Sequence, residues 1–378
     1  MTRRHNSLAA PVLGDFASGQ LMRLCDIVGL SPADAVTYAN VLTDALGPVA
    51  ARPLDEPPPY ASFLSDDHTP VEYSLSFRPG SAPMLRVLLE PGCAEDSLAR
   101  NGSTGLRVVR EMARRWDFAT DALDEVEDLF FPADPQGPLA LWCALELGPG
   151  GVPRVKVYLN PAASGPKRSF ATLREAMGRL GHAEAFAALP PAHGYPFLAL
   201  DLGDWDTPRV KVYLRHDGLS AARAATMSRM RGEGPEPTSL TRFFRIVAGL
   251  DIDGGQDVVP LVGRPVLTCH AFTKSTAGLP SGFTLHIPVR DYVRHDGEAL
   301  DRGTAVLRDL GVDTSALLVS TAAITPRRLQ DGVGLIAYLA VAHQEGSTPR
   351  VTAYLSSEAY TVRAPVAGPL RQAPVVVH

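Results

Sequence analysis

Apolar and polar residues alternate with a period of two in ten short runs, and the runs come in pairs joined by turn residues. The pairs are VEYSLSF with MLRVLLEP (71–91), LALWCALEL with RVKVYLNP (139–161) and FLALDL with RVKVYLRH (197–216). Two more follow, PVLTCHAF with GFTLHIPV (265–289) and LIAYLAVA with RVTAYLSS (335–357). Period two is the signature of a strand with unlike faces, and Gly/Pro-rich links such as RPGSAP and GPGGVP supply the backbone angles of hairpins. The second strands are marked by Arg86, Lys156, Lys211, Thr284 and Thr352, spaced 70, 55, 73 and 68 residues apart (156−86, 211−156, 284−211, 352−284). That spacing leaves room for helices after each hairpin.

The intervening segments switch to helical periodicity. Helices are expected near 16–29, 32–46, 103–116, 169–181, 239–250 and 298–311. In 169–181, Phe170, Leu173, Met177 and Leu180 share one stripe, and Gly181 stops it. The acidic run DALDEVEDLF (121–130) reads as a solvated helix face. Residues 1–12 and 363–378 lack periodicity and read as loose tails. No Gly/Ser linker interrupts the chain, so residues 1–378 read as one domain of five hairpin-plus-helix repeats.

Strand alternation separates two kinds of face. Arg154, Lys156 and Tyr158 share one face of their strand, while Val155, Val157 and Leu159 share the other. Arg209, Lys211 and Tyr213 repeat the polar set, and Arg350, Thr352 and Tyr354 vary it. Thr284 with His286, and Glu72 with Arg86, complete it on the remaining strands. If helices cover the apolar faces, the polar faces point into a shared interior, and a closed barrel with a polar lumen satisfies both. Crowded cations call for a polyanion, and a diphosphate fits guanidinium forks and ammonium groups alike. The tyrosines add hydroxyl donors to phosphate and π faces for a nearby cation.

Composition narrows the chemistry. Net charge is −5, which argues against nucleic acid and anionic membranes as partners. Apolar residues make up 45% of the 378, ample for a large core. The richness in Ala, Arg, Gly and Pro points to a GC-rich bacterial genome. Cys25, Cys93, Cys143 and Cys269 are scattered, so neither a zinc cage nor a disulfide framework is expected. No stretch approaches the roughly 18 apolar residues of a membrane span, and the N-terminus lacks a signal-peptide core. A cytoplasmic enzyme acting on small molecules is the expectation, with its oligomeric state open. There is neither a phosphate loop of the GxxxxGK[ST] kind nor an aspartate-rich magnesium motif. No metal or other cofactor is therefore expected.

These residues resemble the dimethylallyltryptophan synthase family of indole prenyltransferases. The resemblance spans about residues 15 to 362 and is carried by TPVEYS (69–74), RVLLEPG (86–92), both RVKVYL strands and RVTAYL (350–355). It implies an α+β fold, the αββα prenyltransferase barrel. Such a barrel has about ten antiparallel strands around a solvent-filled lumen, ringed by helices. It also implies transfer of a dimethylallyl group from dimethylallyl diphosphate, the co-substrate, to an indole such as L-tryptophan, without a required metal.

By position, Glu72 matches the family glutamate that accepts the indole N–H. Arg86, Lys156, Arg209 and Lys211, with Arg350 as a looser match, correspond to diphosphate-binding positions. Tyr158, Tyr213 and Tyr354 correspond to residues that shield the prenyl cation. Thr284 and His286 stand where some members carry Gln and Tyr. Trp142 stands where some members that prenylate C4 place a lysine base, in an alignment set by CALEL (143–147). An indole side chain takes up no proton at neutral pH, so C4 attack is disfavoured. C6 is the first expectation, with C5, C7 and N1 open. A cyclic dipeptide or phenolic acceptor, or a barrel that merely binds a phosphorylated ligand, are the alternatives. The final proton acceptor is not identified.

Overall fold

All ten alternating runs form strands, and every neighbouring pair is antiparallel. The computed structural model describes residues 10–203, 205–206, 208–232, 234–251, 258–273 and 278–367. The strands are β1 (Val71–Phe77), β2 (Met84–Leu89), β3 (Leu141–Leu147), β4 (Arg154–Leu159) and β5 (Gly194–Leu202). They continue as β6 (Val210–His216), β7 (Val266–Phe272), β8 (Gly282–Ile287), β9 (Ile336–Gln344) and β10 (Ser347–Ser356). They pair in chain order, and β10 returns to β1, closing the barrel. Closure leaves no sheet edge unpaired.

Turn chemistry fixes the register. The β3–β4 hairpin turns at Gly150 and Gly151, with φ of 98° and 73°. At Gly151 an added Cβ would also approach Thr37 Cγ2 to 3.3 Å, so glycine is required there twice over. The link between β9 and β10 is tighter than the seven residues that separate the runs LIAYLAVA and RVTAYLSS. Gln344 pairs with Ser347 across Glu345-Gly346, and Gly346 takes a φ of 69°. One residue able to adopt positive φ lets the alternation run through to the turn.

Apolar faces point outward to a ring of helices, and the main core lies between barrel and ring. Val155, Val157 and Leu159 are fully buried there, as are Tyr73, Leu75, Val87 and Leu355. Helices Leu98–Trp116, Ser169–Arg179, Pro237–Ala248 and Asp296–Asp309 supply Val109, Leu173, Phe244 and Leu307 from their inner faces. Each such side chain contributes about 1.5–3 kcal/mol through burial. The helix expected at 103–116 begins earlier, at Leu98, because the Ser97 hydroxyl accepts from the Arg100 backbone N–H and caps it there. The acidic run forms two single-turn helices, Asp121–Asp124 and Glu127–Phe130, which bury Leu123, Val126 and Phe130.

The barrel seam is held from outside. Gln20, on helix Leu13–Ile27, donates to the carbonyls of Ile324 (3.0 Å) and Ser357 (2.8 Å) and accepts from the Ser357 hydroxyl (2.6 Å). The Tyr73 hydroxyl donates to Ala17 O at 2.7 Å. Residues 363–367, which the sequence pattern placed in a loose tail, bond to the body: Val333 N–H donates to Arg363 O, and Val366 N–H donates to Arg294 O. Residues 1–9 and 368–378 of the two expected tails lie outside the described residues. Among the described residues no helix is long and apolar enough to cross a membrane.

Candidate active site

The inward faces assemble into layers along the barrel axis, because register places like positions side by side. Glu146 faces Arg154, Ala144 faces Lys156 and Trp142 faces Tyr158 across β3–β4. Lys156 faces Asp201 across β4–β5, and Phe197 faces Tyr213 across β5–β6. Ser74 lies between Arg86 of β2 and Tyr354 of β10, and Glu72 between Leu88 and Ser356.

One mouth is strongly charged. A cavity of about 370 Å³ opens there, lined by Glu146, Arg154, Trp205, Arg209 and Arg350 among others. Cations alternate with carboxylates. Arg86 pairs with Glu146 at 2.6 Å, and Arg154 reaches the same carboxylate at 3.5 Å. Asp201 takes Lys156 at 2.9 Å and Arg209 Nε at 2.7 Å. The Trp205 ring lies 5.2 Å from both Lys156 and Arg209 and 5.7 Å from Arg154. Its N–H donates to Leu202 O at 2.8 Å, which anchors the ring on the β5–β6 turn.

Inside the mouth lies a smaller cavity of about 50 Å³, lined by Arg86, Lys156, Lys211 and Arg350 and by aromatic rings. Tyr158 and Tyr213 have centroids 5.8 Å apart, and Phe197 stands edge-on to both, at 6.0 and 5.7 Å. His286 lies 5.7 Å from Tyr213 and 5.8 Å from Tyr354. Burial lifts the Tyr158 hydroxyl to about 12, and raises those of Tyr213 and Tyr354, so all three remain neutral donors. Burial, with Lys211 nearby, lowers His286 to about 3 and keeps it uncharged.

Glu72 forms the far end with Leu88. Burial pushes its carboxyl up to about 8, while Arg290 pulls the other way. Arg290 lies 5.1 Å over the Tyr338 ring and 3.4 Å from Asp66. Trp142 packs at the same level with Leu64, Leu139 and Phe197, its ring 5.1 Å from that of Phe197. The indole N–H of Trp142 closes no hydrogen bond of normal geometry, and it lies beside Glu90, which burial raises to about 7.

Ten of the twelve residues singled out from the sequence line one cavity. They are Glu72, Arg86, Lys156, Lys211, Arg350, Tyr158, Tyr213, Tyr354, Thr284 and His286. Arg209 stands above them at the mouth, and Trp142 forms part of the wall behind Tyr158. The sequence reading missed Glu146, Asp201, Phe197, Trp205 and Arg290. The first three lie on alternating strands, where the same parity marks them as inward.

Among the described residues no group of three or more His, Cys, Asp or Glu side chains is placed to hold a metal ion. A closed ten-stranded antiparallel barrel, ringed by helices and charged at one mouth, defines the class of barrel prenyltransferases. The profile of the tryptophan dimethylallyltransferase family matches residues 35–317, and the chain belongs to that family. PriB, solved with product diphosphate, is 60% identical over 94% of this chain and 99% of its own, with a TM-score of 0.91. The 5-dimethylallyl tryptophan synthase from Streptomyces coelicolor, solved with DMASPP and Trp, is 64% identical over 95% and 99%, with a TM-score of 0.89. The 6-dimethylallyltryptophan synthase from Micromonospora olivasterospora, also with DMASPP and Trp, is 39% identical over 94% and 99%, with a TM-score of 0.84. The chain is thus a prenyltransferase of the tryptophan-modifying kind.

Proposed function

We propose that this enzyme moves the dimethylallyl group of dimethylallyl diphosphate onto a benzenoid carbon of L-tryptophan, C6 first, by electrophilic aromatic substitution without a metal ion. The observation that carries the reading is the order along the axis: cations at the mouth, aromatic rings in the middle, Glu72 beyond them. Relatives solved with DMASPP and Trp support the pairing of substrates.

In this reading the allylic C–O bond breaks and diphosphate leaves among Arg86, Lys156, Arg209, Lys211 and Arg350. Their fixed charges stabilise the negative charge as it develops. The allyl cation is held against Tyr158, Tyr213 and Tyr354, whose π faces attract it and whose packing keeps water away. Glu72 accepts the indole N–H and makes the ring more electron-rich. A ring carbon bonds to the allyl carbon, and the proton on that carbon then departs to a base. All five hairpins contribute to the lumen, so the chain works as one unit.

Trp142 supports attack away from C4, since it offers bulk and no base where a lysine would serve. Attack at C5 is a second reading, supported by the 64% identity to a 5-synthase. NMR of the product from tryptophan and dimethylallyl diphosphate tests both. C6 substitution is expected, C5 establishes the second reading, and dominant C4 overturns the role given to Trp142. Turnover is expected to survive excess EDTA. Complete loss that magnesium restores overturns metal independence.

A further inference from the structure

Two carboxylates lie among the cations of the charged mouth, where each opposes an incoming diphosphate. The Asp201 side chain is fully buried and that of Glu146 is 6% exposed. An acid buried in an anion site weakens the attraction for the ligand. Its retention there calls for a compensating role.

Asp201 is tied on both sides. One oxygen accepts from Arg209 Nε at 2.7 Å and from the Arg209 backbone N–H at 3.2 Å. The other lies 2.9 Å from Lys156 Nζ, whose Cα is opposite in the β4–β5 register. Glu146 on β3 is placed in the same way, between Arg86 and Arg154. Four of the six inward cations are therefore paired. Lys211 and Arg350 have no carboxylate partner among the described residues, although both line the lumen.

We propose that Asp201 and Glu146 are positioning residues of the diphosphate site, holding Lys156, Arg209, Arg86 and Arg154 ready for the ligand beside the unanchored Lys211 and Arg350. The inference rests on the reading of the site as the diphosphate end. Guanidinium and ammonium groups on long side chains lose rotamer freedom when they bind a ligand, and prior anchoring removes part of that cost. The carboxylates also decide charge state. Lys156 is surrounded by Arg86 from β2, Arg209 just before β6, Lys211 from β6, Tyr158 on its own strand and Asp201 from β5, with Glu146 on β3 within reach. Burial and the neighbouring cations lower its ammonium, and Asp201 counteracts them. Lys211 has less of that support and is lowered further.

The test is steady-state kinetics of D201N, D201E and E146Q with dimethylallyl diphosphate and tryptophan as a function of pH, after melting curves establish folding. D201N is expected to raise KM for dimethylallyl diphosphate about tenfold or more, as for one lost charge-assisted contact. KM for tryptophan stays close to wild type. The alkaline limb of kcat/KM for the donor moves to lower pH, as Lys156 gives up its proton more easily. D201E, which keeps the charge, is expected to recover most of the loss. Unchanged donor KM and pH profile in D201N overturn the proposal. So does tighter diphosphate binding, or an equal loss for both substrates with no pH shift. If D201N does not fold, E146Q decides by the same donor-specific rise in KM. Absence of turnover in the wild-type enzyme counts against the proposed function itself, a result distinct from any of these.

Discussion

In the role proposed for Glu72, holding an indole N–H, a carboxyl group works best as an anion, yet burial places it near 8, above the usual carboxylate range. Burial thus favours the protonated form of Glu72 in the unliganded enzyme. Raising the pH through about 8 converts it to the carboxylate, so kcat/KM for tryptophan is expected to climb across that range. It falls again at higher pH as the donor-end lysines lose their protons. In E72Q the rising limb disappears, because the amide does not titrate. Transfer slows by about 10- to 150-fold, the value of a charged hydrogen bond. pH profiles of kcat/KM for both proteins check this. A rising limb retained in E72Q assigns that titration to another group.

At the scale of elements, the outer faces of β6 and β7 carry a chain of buried polar groups. His216 Nε2 lies 2.8 Å from the Thr268 hydroxyl, which lies 3.3 Å from His270 Nε2. Burial lowers His216 to about 4 and, with His216 close by, His270 to about 3. Both folded values lie below the unfolded value of about 6.5. The unfolded chain therefore binds protons first as pH falls, and stability is lost progressively from about 6.5 down toward 4. Each histidine contributes about 1.4 kcal/mol per pH unit inside that window. Melting temperature is expected to drop between pH 7 and 5, and a His270→Gln variant is expected to show a shallower drop. An equal slope in that variant would remove His270 from the account.

Strands were the most legible elements because alternation is local. Two RVKVYL runs, with RVTAYL, revealed both the barrel and its inward cations. The same parity extends to Glu146, two residues after Ala144 in CALEL, and to Asp201 in LALDL. A lone carboxylate at such a position reads equally well as a solvated strand face, so parity alone does not tie either to the cations. Sequence suggested that only a polyanion relieves the crowded cations, and the structure shows two carboxylates already relieving four of them. Trp205, Asp66 and Arg290 were not legible in the same way. Trp205 and Asp66 sit on turns and Arg290 in a single-turn 3-10 helix, where no periodicity states which way a side chain points, and only tertiary packing brings them to the barrel ends.

For the whole molecule, the seam between β1 and β10 is decisive, since every other pairing joins strands adjacent in the chain. Gln20 bolts this seam to two surrounding segments through buried hydrogen bonds. Q20A leaves those carbonyls without a donor and is expected to destabilise the fold by about 2 kcal/mol or more. Urea unfolding checks this, with a lower midpoint and an unchanged slope as the expected pair. An unaltered midpoint would show that the seam is carried by the strands alone.

The seam also dictates a schedule for synthesis. Glu72 and Ser356 are register partners 284 positions apart (356−72). A ribosome thus releases β1 long before its second neighbour exists. Until β10 emerges, the nascent sheet exposes one free edge at β1 and another at its latest strand. Pairing at such sequence separation is slow, and open edges invite association between chains. The enzyme is therefore most vulnerable to aggregation during translation, and the C-terminal hairpin completes its protection as well as its active site.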